Sequence, residues 1–101
     1  MSEKVFKLHP PLVRGVVHAL QEIFQNGYYA DKVIQRIFKE NRKWGKRDRA
    51  FVAQNVYDLV RWWRREWDYG MGIEDYKNAP LDDLSLTQLL GAHLLMKGNE
   101  L

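Results

Sequence analysis

The sequence contains no cysteine. This absence excludes disulfide bonds, thiolate metal sites and cysteine nucleophiles, and it suits a reducing compartment. Long apolar runs are also missing. Neither the N-terminus, MSEKVFKLHPP, nor any later stretch approaches the ~20 apolar residues that a membrane-spanning helix needs. We therefore expect a cytoplasmic protein without a membrane partner.

The sequence also lacks recognisable catalytic and metal-binding motifs. The three histidines, His9, His18 and His93, lie far apart, and no pair has the spacing of a helical metal site. We expect each to be an ordinary surface or partly buried histidine. The stretch Gly70-Met71-Gly72 lacks the third glycine and the strand–helix context of a dinucleotide loop. We expect no catalytic residue, metal or cofactor in this chain, and hence no enzyme activity of its own.

What the sequence does contain is enough apolar side chain for one helical domain over residues 1–101. Hydrophobic residues make up 46% of it, including four Trp, five Tyr and four Phe. Apolar residues recur at helical spacing and show no sustained strand alternation, which predicts an all-α, compact helical bundle. Four helices are predicted: Pro10 or Pro11 to Gln25, Ala30 to about Lys43, about Asp48 to Tyr69, and a last one opened by the capping-box pattern Ser85-Leu86-Thr87-Gln88.

The third predicted helix, residues 48–69, has the longest apolar stripe. At 1.5 Å per residue it would be ~30 Å long, enough to span a small domain, so we expect it to be the central helix. Asn26-Gly27 and Gly70-Met71-Gly72 are expected to end the first and third helices. The stripe consists of Phe51, Val52, Asn55, Val56, Leu59, Val60, Trp63 and Trp67.

The net charge of +3 is distributed unevenly along the chain. Residues 32–67 contain eleven Lys or Arg against four Asp or Glu, whereas residues 68–101 contain two against six. A basic middle beside an acidic end is typical of proteins that bind a polyanion, and nucleic acid is the commonest one. The alternative is a helical surface that is merely rich in solvated Lys and Arg.

Basic residues are densest in KENRKWGKRDR, residues 39–49, where six of eleven are Lys or Arg around Trp44. Long cationic side chains contact phosphates, and an aromatic ring among them can stack on an unpaired base. Trp44 can instead be a core residue that closes the corner between the second and third helices. The candidates for RNA binding in this stretch are Lys39, Arg42, Lys43, Trp44, Lys46 and Arg47.

A second basic and aromatic cluster, RWWRR at residues 61–65, adds Arg61 and Arg65 as RNA-binding candidates. Residues four apart on a helix are neighbours, so these two cations repel unless an anion lies between them. That anion can be RNA, or it can be the side chain of Asp58 or Glu66. Trp62 lies off the centre of the apolar stripe and can be packed by a neighbouring helix.

Several of these runs resemble the NusB-type helical domain. The likeness is greatest to the N-terminal domain of RsmB-like (Sun/Fmu) ribosomal RNA cytosine-5 methyltransferases, in which an R-D-R-A-F-V run opens a long helix that ends near R-W. It covers roughly residues 11–97. The runs that carry it are Ala30-Asp31-Lys32-Val33-Ile34, Lys46-Arg47-Asp48-Arg49-Ala50-Phe51-Val52-Ala53, Asn55-Val56-Tyr57, Arg61-Trp62 and Gln88-Leu89-Leu90-Gly91-Ala92.

The resemblance implies an all-α domain that binds ribosomal RNA and docks against a methyltransferase domain in the same protein. In that family, methyl transfer uses S-adenosylmethionine and cysteines of a separate Rossmann-like domain. This sequence has neither the cysteines nor a Rossmann-like domain. It is therefore expected to be the non-catalytic N-terminal part of a longer enzyme active in ribosomal RNA processing. A stand-alone RNA-binding module resembling an antitermination factor is the alternative within the resemblance.

Two other classes of function compete with RNA binding. A protein–protein adaptor would use the Trp-rich helix to recruit another chain. A DNA-binding helix-turn-helix is weaker, because the second and third segments lack a compact turn and no short recognition helix stands out. We also expect that apolar surface on the fourth helix can support a homodimer.

Overall fold

The computed structural model describes residues 10–99, and in that range the chain forms helices and turns but no strand. The predicted all-α class is therefore confirmed. No helix among the described residues has the length and apolar character needed to cross a membrane. The elements are α1 (Pro10–Asn26), α2 (Ala30–Glu40), α3 (Lys46–Arg61), a short α4 (Trp63–Arg65), a π-helical turn (Glu66–Gly70), a 3-10 turn (Tyr76–Asn78) and α5 (Asp83–Asn99).

Helix α1 ends as its sequence predicts. Gly27 takes a φ of 73°, a left-handed conformation that glycine adopts without steric cost. Its N–H donates to the Ile23 carbonyl at 3.2 Å, and the Tyr28 N–H donates to the Glu22 carbonyl at 3.4 Å. The first of these bonds is the one that defines the αL C-cap motif, and together the two bonds satisfy carbonyls that the helix end leaves free.

Helix α2 ends at Glu40, about three residues before the predicted end. Asn41 leaves the helical conformation, with φ −125° and ψ 61°. Its side-chain amide donates to the Ile37 carbonyl at 2.9 Å, an alternative to continuing the helix that asparagine often offers the backbone. Arg42 and Lys43 consequently lie in a turn rather than on a helix.

The continuous helix predicted over residues 48–69 is only partly correct. It begins two residues earlier, at Lys46, with Gly45 as N-cap residue and the Asp48 carboxylate accepting the Gly45 N–H at 3.4 Å. It is interrupted at Trp62, where φ is −110° and ψ is 27°. The chain then continues through α4 and the π-helical turn.

The interruption coincides with the burial of two large rings. Trp63 stacks on Phe24 of α1, with ring centroids 3.8 Å apart and planes 15° apart. Trp67, which is fully buried, meets Trp63 edge to face at 5.5 Å. Periodicity alone predicts an unbroken helix, but two indoles must fit beside α1, and tertiary packing of this kind overrides local preference.

The start of α5 also differs from its prediction. The helix begins at Asp83, and the Asp82 carboxylate accepts the Ser85 N–H at 3.0 Å. Asp82 is therefore the capping residue, and Ser85 lies in the first turn rather than at the cap. The sequence offers both oxygen-bearing residues, and aspartate at this position can satisfy a free N–H of the first turn just as serine can.

The core lies where α1 packs against α2, α3 and α5. Helix α1 thus shares the central place that the sequence assigns to α3 alone. On α5, Leu84 and Leu95 remain 66% and 63% exposed, and the homodimer expected from this apolar surface stays a prediction. The buried apolar residues are Leu12, Val16, Val17, Ala19, Leu20, Val33, Ile34, Ile37, Val52, Val56, Leu59, Trp63, Trp67, Leu86, Leu89, Leu90 and Leu94.

Candidate nucleic-acid interface

Five predicted RNA-binding cations gather at the corner between α2 and α3, which we call the basic corner. All five side chains are exposed. None of them forms an ion pair with another described residue. They consequently keep their charge available for an external anion. The basic corner consists of Lys39 at the end of α2, Arg42 and Lys43 in the following turn, and Lys46 and Arg47 in the first turn of α3.

Trp44 lies at the centre of the basic corner, but its ring is directed inward. It is partly buried against the core. Its ring edge lies so close to Gly15 of α1 that a Cβ atom there would be 2.8 Å from Trp44 Cη2. It also meets Phe38 edge to face at 6.3 Å. These contacts match the core role that the sequence left open for Trp44, and its contact with RNA stays a prediction.

Arg61 and Arg65 lie at the other end of α3, beside Trp62. Their guanidinium carbons are 5.1 Å and 4.4 Å from the centroid of the Trp62 ring, within cation–π range. Trp62 is 39% exposed, so no neighbouring helix covers it in the way that the sequence allowed. We call the open depression at this place the arginine–tryptophan cleft, lined by Arg61, Trp62, Arg64, Arg65, Asp68 and Tyr69.

The carboxylates considered as partners for these arginines are directed elsewhere. Asp58 Oδ2 lies 3.3 Å from Lys97 Nζ of α5, and Glu66 Oε2 lies 3.1 Å from His93 Nδ1. Arg61 pairs with no described carboxylate, and Arg65 Nη2 comes only within 3.9 Å of Glu66 Oε2. The pairing alternative is thus wrong for Arg61, and for Arg65 it reduces to one long contact.

The outer side of α3 connects the basic corner to the cleft. Residues spaced three and four apart lie on one side of a helix. Over the 16 residues of α3 this side is ~24 Å long, so the cation groups at its two ends are too distant to share one pocket. The exposed positions along it contain no acidic side chain: Arg47, Ala50, Gln54, Tyr57 and Arg61.

One acidic residue, Asp31 of α2, does reach this side, but Tyr57 engages it. The Tyr57 hydroxyl donates a hydrogen bond to the Asp31 carboxylate. This bond, together with partial burial and the nearby negative charge, raises the pKa of Tyr57 above its usual 10.0. The contact ties the start of α2 to the middle of α3, and it engages the Asp31 carboxylate.

Two residues of unusual environment, Glu66 and His93, are not predicted from the sequence. Both are nearly fully buried, at 1% and 5% exposure, whereas His93 is expected to be an ordinary histidine and Glu66 a surface partner for arginine. One signal was present: Glu66 lies three residues after Trp63 and next to Trp67, within the apolar stripe. A carboxylate at that position needs a partner inside the protein.

The arrangement of Glu66, His93 and Asp58 does not resemble a metal centre. Among residues 10–99, no group of three or more His, Asp or Glu side chains is placed to hold a metal ion. His93 Nε2 is 3.6 Å from Asp58 Oδ2, and its Nδ1 faces Glu66, so both ring nitrogens are directed at carboxylates. This set therefore links α5 to α3 and the π-helical turn. His18 is exposed on α1, and His9 lies outside the described residues.

The fold and this surface define an all-α protein with one acid-poor, cationic side. Comparison with protein-family models, curated proteins and solved structures found no match to the chain. The resemblance to the NusB-type domain therefore stays a prediction. Function has to be inferred from the geometry of the basic corner and the arginine–tryptophan cleft.

Proposed function

We propose that this chain is an RNA-binding domain that uses the basic corner and the outer side of α3 to contact an RNA backbone. The observation that supports this most strongly is that the five cations of the basic corner form no ion pair with any described residue. Unpaired Lys and Arg side chains displace the counterions condensed on the phosphates, and the release of these ions provides much of the affinity in protein–nucleic acid complexes.

The local structure brings these five cations together on one surface. The turn after α2 brings Arg42 and Lys43 next to the first turn of α3, and Trp44 anchors that turn on Gly15. The backbone of the corner is thereby held in place while its long side chains reach into solvent. A scaffold of this kind lowers the entropy cost of binding, because little backbone has to become ordered.

Unpaired RNA is favoured over duplex DNA by the aromatic side chains near the cations. Trp62 is 39% exposed and Tyr69 is 73% exposed, and both line the cleft beside Arg61 and Arg65. Aromatic rings and guanidinium groups stack on bases that are free of a duplex.

The resemblance to RsmB-like enzymes leads us to propose further that the RNA is ribosomal. In that case a separate domain of the same protein supplies the S-adenosylmethionine site and the catalytic cysteines, and this chain provides RNA affinity alone. An adaptor function would instead predict that partner binding depends on exposed apolar residues of the Trp-rich helix such as Trp62, and that charge reversal in the basic corner has little effect.

The proposal is tested by reversing charge in the basic corner. We expect the Lys43→Glu, Lys46→Glu, Arg47→Glu triple variant to lose most affinity for a fluorescently labelled single-stranded RNA in anisotropy titrations. The slope of log K against log salt should become shallower by about 0.7 for each phosphate that the variant no longer neutralises. Circular dichroism would verify that the variant keeps its helices, which is expected because all three side chains are exposed.

A matched control is Lys77→Glu, compared with Lys46→Glu. Both substitutions reverse one exposed lysine, but Lys77 lies in the 3-10 turn, away from the basic corner. We expect Lys46→Glu to weaken RNA binding and Lys77→Glu to leave the salt slope unchanged. Wild-type affinity in the triple variant would refute the proposed function.

A further inference from the structure

The arginine–tryptophan cleft differs from the basic corner in the chemistry it exposes. The basic corner exposes cations, and its single aromatic ring, Trp44, is held against Gly15 and Phe38. The cleft exposes two aromatic rings, Trp62 and Tyr69, together with Arg61 and Arg65. Of these two surfaces, the cleft alone combines charge with rings on which a base can stack.

The two arginines are suited to hold a phosphate group. Their guanidinium carbons lie 5.1 Å and 4.4 Å from the centroid of the same Trp62 ring, so the two charges are separated by no more than the sum of these distances. The carboxylate oxygen of Glu66 that comes within 3.9 Å of Arg65 already faces His93. An anion between two such guanidinium groups relieves their repulsion and forms charge-assisted hydrogen bonds.

The remaining lining favours a nucleotide over a bare anion. Asp68 also lines the cleft, and its carboxylate disfavours a ligand that is only negative. The same carboxylate can accept hydrogen bonds from base amino groups. The cleft also has a volume of about 430 Å³, more than a phosphate ion fills.

We propose that the cleft binds one unpaired nucleotide of the RNA, whose phosphate draws Arg61 and Arg65 off the Trp62 ring and whose base then stacks on Trp62 and Tyr69. This inference rests on the proposed function and adds a division of roles to it. The basic corner attracts any RNA backbone, and the cleft selects RNA whose bases are free. A base inside a duplex cannot reach the cleft, because both of its faces are already stacked.

The test compares a labelled 12-nucleotide single strand with a 12-base-pair RNA duplex of the same sequence. Stacking contributes on the order of 1–3 kcal/mol per base, so we expect Trp62→Leu to weaken single-strand binding about 5- to 150-fold. Duplex binding should change less than about twofold, because it depends on phosphate contacts alone. Trp62→Phe keeps an aromatic ring and should retain most of the single-strand affinity.

Two further variants keep the outcome interpretable. Tyr69→Leu alters a ring that is 73% exposed and tests the same site if Trp62→Leu fails to fold. Tyr29→Leu alters a ring that is 79% exposed but outside the cleft, and it should leave both affinities unchanged.

The inference and the proposed function fail in different ways. If the basic-corner triple variant loses RNA binding while Trp62→Leu and Tyr69→Leu keep the preference for single strands, the nucleotide site is wrong and the proposed function stands. An equal loss of single-strand and duplex affinity in Trp62→Leu would also overturn the nucleotide site. Unchanged affinity in the triple variant would overturn the proposed function itself.

Discussion

His93 of α5 and Glu66 of the π-helical turn form a contact inside the core, with 3.1 Å between Nδ1 and Oε2. Because a carboxylate accepts hydrogen bonds, His93 Nδ1 is the donor. The bond joins α5 to the segment that follows α3. The second carboxylate oxygen of Glu66 is buried without a hydrogen-bond partner among the described residues. The stability of this junction therefore depends on His93.

Replacing either Glu66 or His93 alone should lower the free energy of unfolding more than replacing both. His93→Leu leaves the buried Glu66 carboxyl group without its hydrogen-bond partner, and we expect a loss of about 1–3 kcal/mol in the free energy of unfolding. The double variant Glu66→Leu, His93→Leu replaces both with apolar side chains and should be more stable than His93→Leu alone. Urea denaturation of the wild type, the two single variants and the double variant measures the coupling. Strictly additive losses would show that the two residues do not depend on each other.

Gly15 is required by the ring of Trp44. Gly15→Ala places a Cβ atom 2.8 Å from Trp44 Cη2, a separation that forces the ring or the helix to move. Overpacking of this kind costs about 1–3 kcal/mol, partly offset by the ~1 kcal/mol gain in helix propensity. We expect a net loss of stability in thermal or urea unfolding. Adding Trp44→Leu should reduce that loss, because it removes the clashing ring.

Gly91 provides the matched control for Gly15. It lies within α5, and a Cβ atom there would meet nothing within 4 Å. Gly91→Ala should therefore stabilise the protein by about 0.5–1 kcal/mol through helix propensity alone. Opposite signs for the two substitutions would show that the Trp44 contact, rather than a general intolerance of alanine, decides the outcome at Gly15. Equal effects would contradict that interpretation.

Asp82 should make the stability of α5 dependent on pH in acid. Hydrogen bonds from Ser85 lower the pKa of Asp82 below its usual 3.8. A carboxyl group with a lowered pKa in the folded state stabilises that state above its unfolded pKa, and the contribution disappears as pH falls through the folded value. We expect Asp82→Ala to be less stable than wild type near neutral pH, with the difference shrinking below pH 3.8.

Asp82→Asn serves as the control for that measurement. Asparagine also caps helices well but does not titrate, so part of the stability should be retained and should not vary with acid. Thermal unfolding followed by circular dichroism across the acid range gives all three profiles. A constant difference between wild type and Asp82→Ala at every pH would argue against the cap.

Tyr57 should make the stability of the fold depend on pH in alkali, where stability is lost as the pH rises. Its hydrogen bond to Asp31 raises its pKa, so the protonated phenol stabilises the fold below the usual value of 10.0. That contribution is lost as pH rises through the folded pKa. The stability difference between wild type and Tyr57→Phe should be constant near neutral pH and shrink above pH 10.0. In Asp31→Asn, the Tyr57 phenol should ionise at a lower pH than in wild type. Phenolate absorbance followed across the alkaline range would show this difference.

Several features of the fold could be predicted from local sequence because their causes are local. Gly27 ends α1 since glycine tolerates a positive φ, and the same reasoning applies to Gly72, whose φ is 68°. The apolar spacing along Val52, Val56 and Leu59 correctly marked the buried side of α3. These outcomes depend on residues within about one or two turns of each other.

Other features depend on residues that are distant in the sequence. The break at Trp62 accompanies the packing of Trp63 on Phe24, which lies 39 positions earlier in the numbering. Glu66 is separated from His93 by 27 positions, so no local pattern shows that each is the partner of the other. The candidate site likewise has features that the local sequence predicts and features that it does not. The residue types predict the cations at 39–47, but only the packing shows that Trp44 is directed inward and Trp62 outward.

The amino-acid order alone determined the all-α class, the end of α1, the buried side of α3 and the concentration of positive charge in the middle of the chain, since helical periodicity and local charge are short-range properties. The tertiary structure decided which carboxylates face α5 rather than the arginines, which aromatic ring remains accessible, and which charges are left without partners. Those outcomes follow from burial, and burial of a side chain is decided by whatever distant helix packs over it.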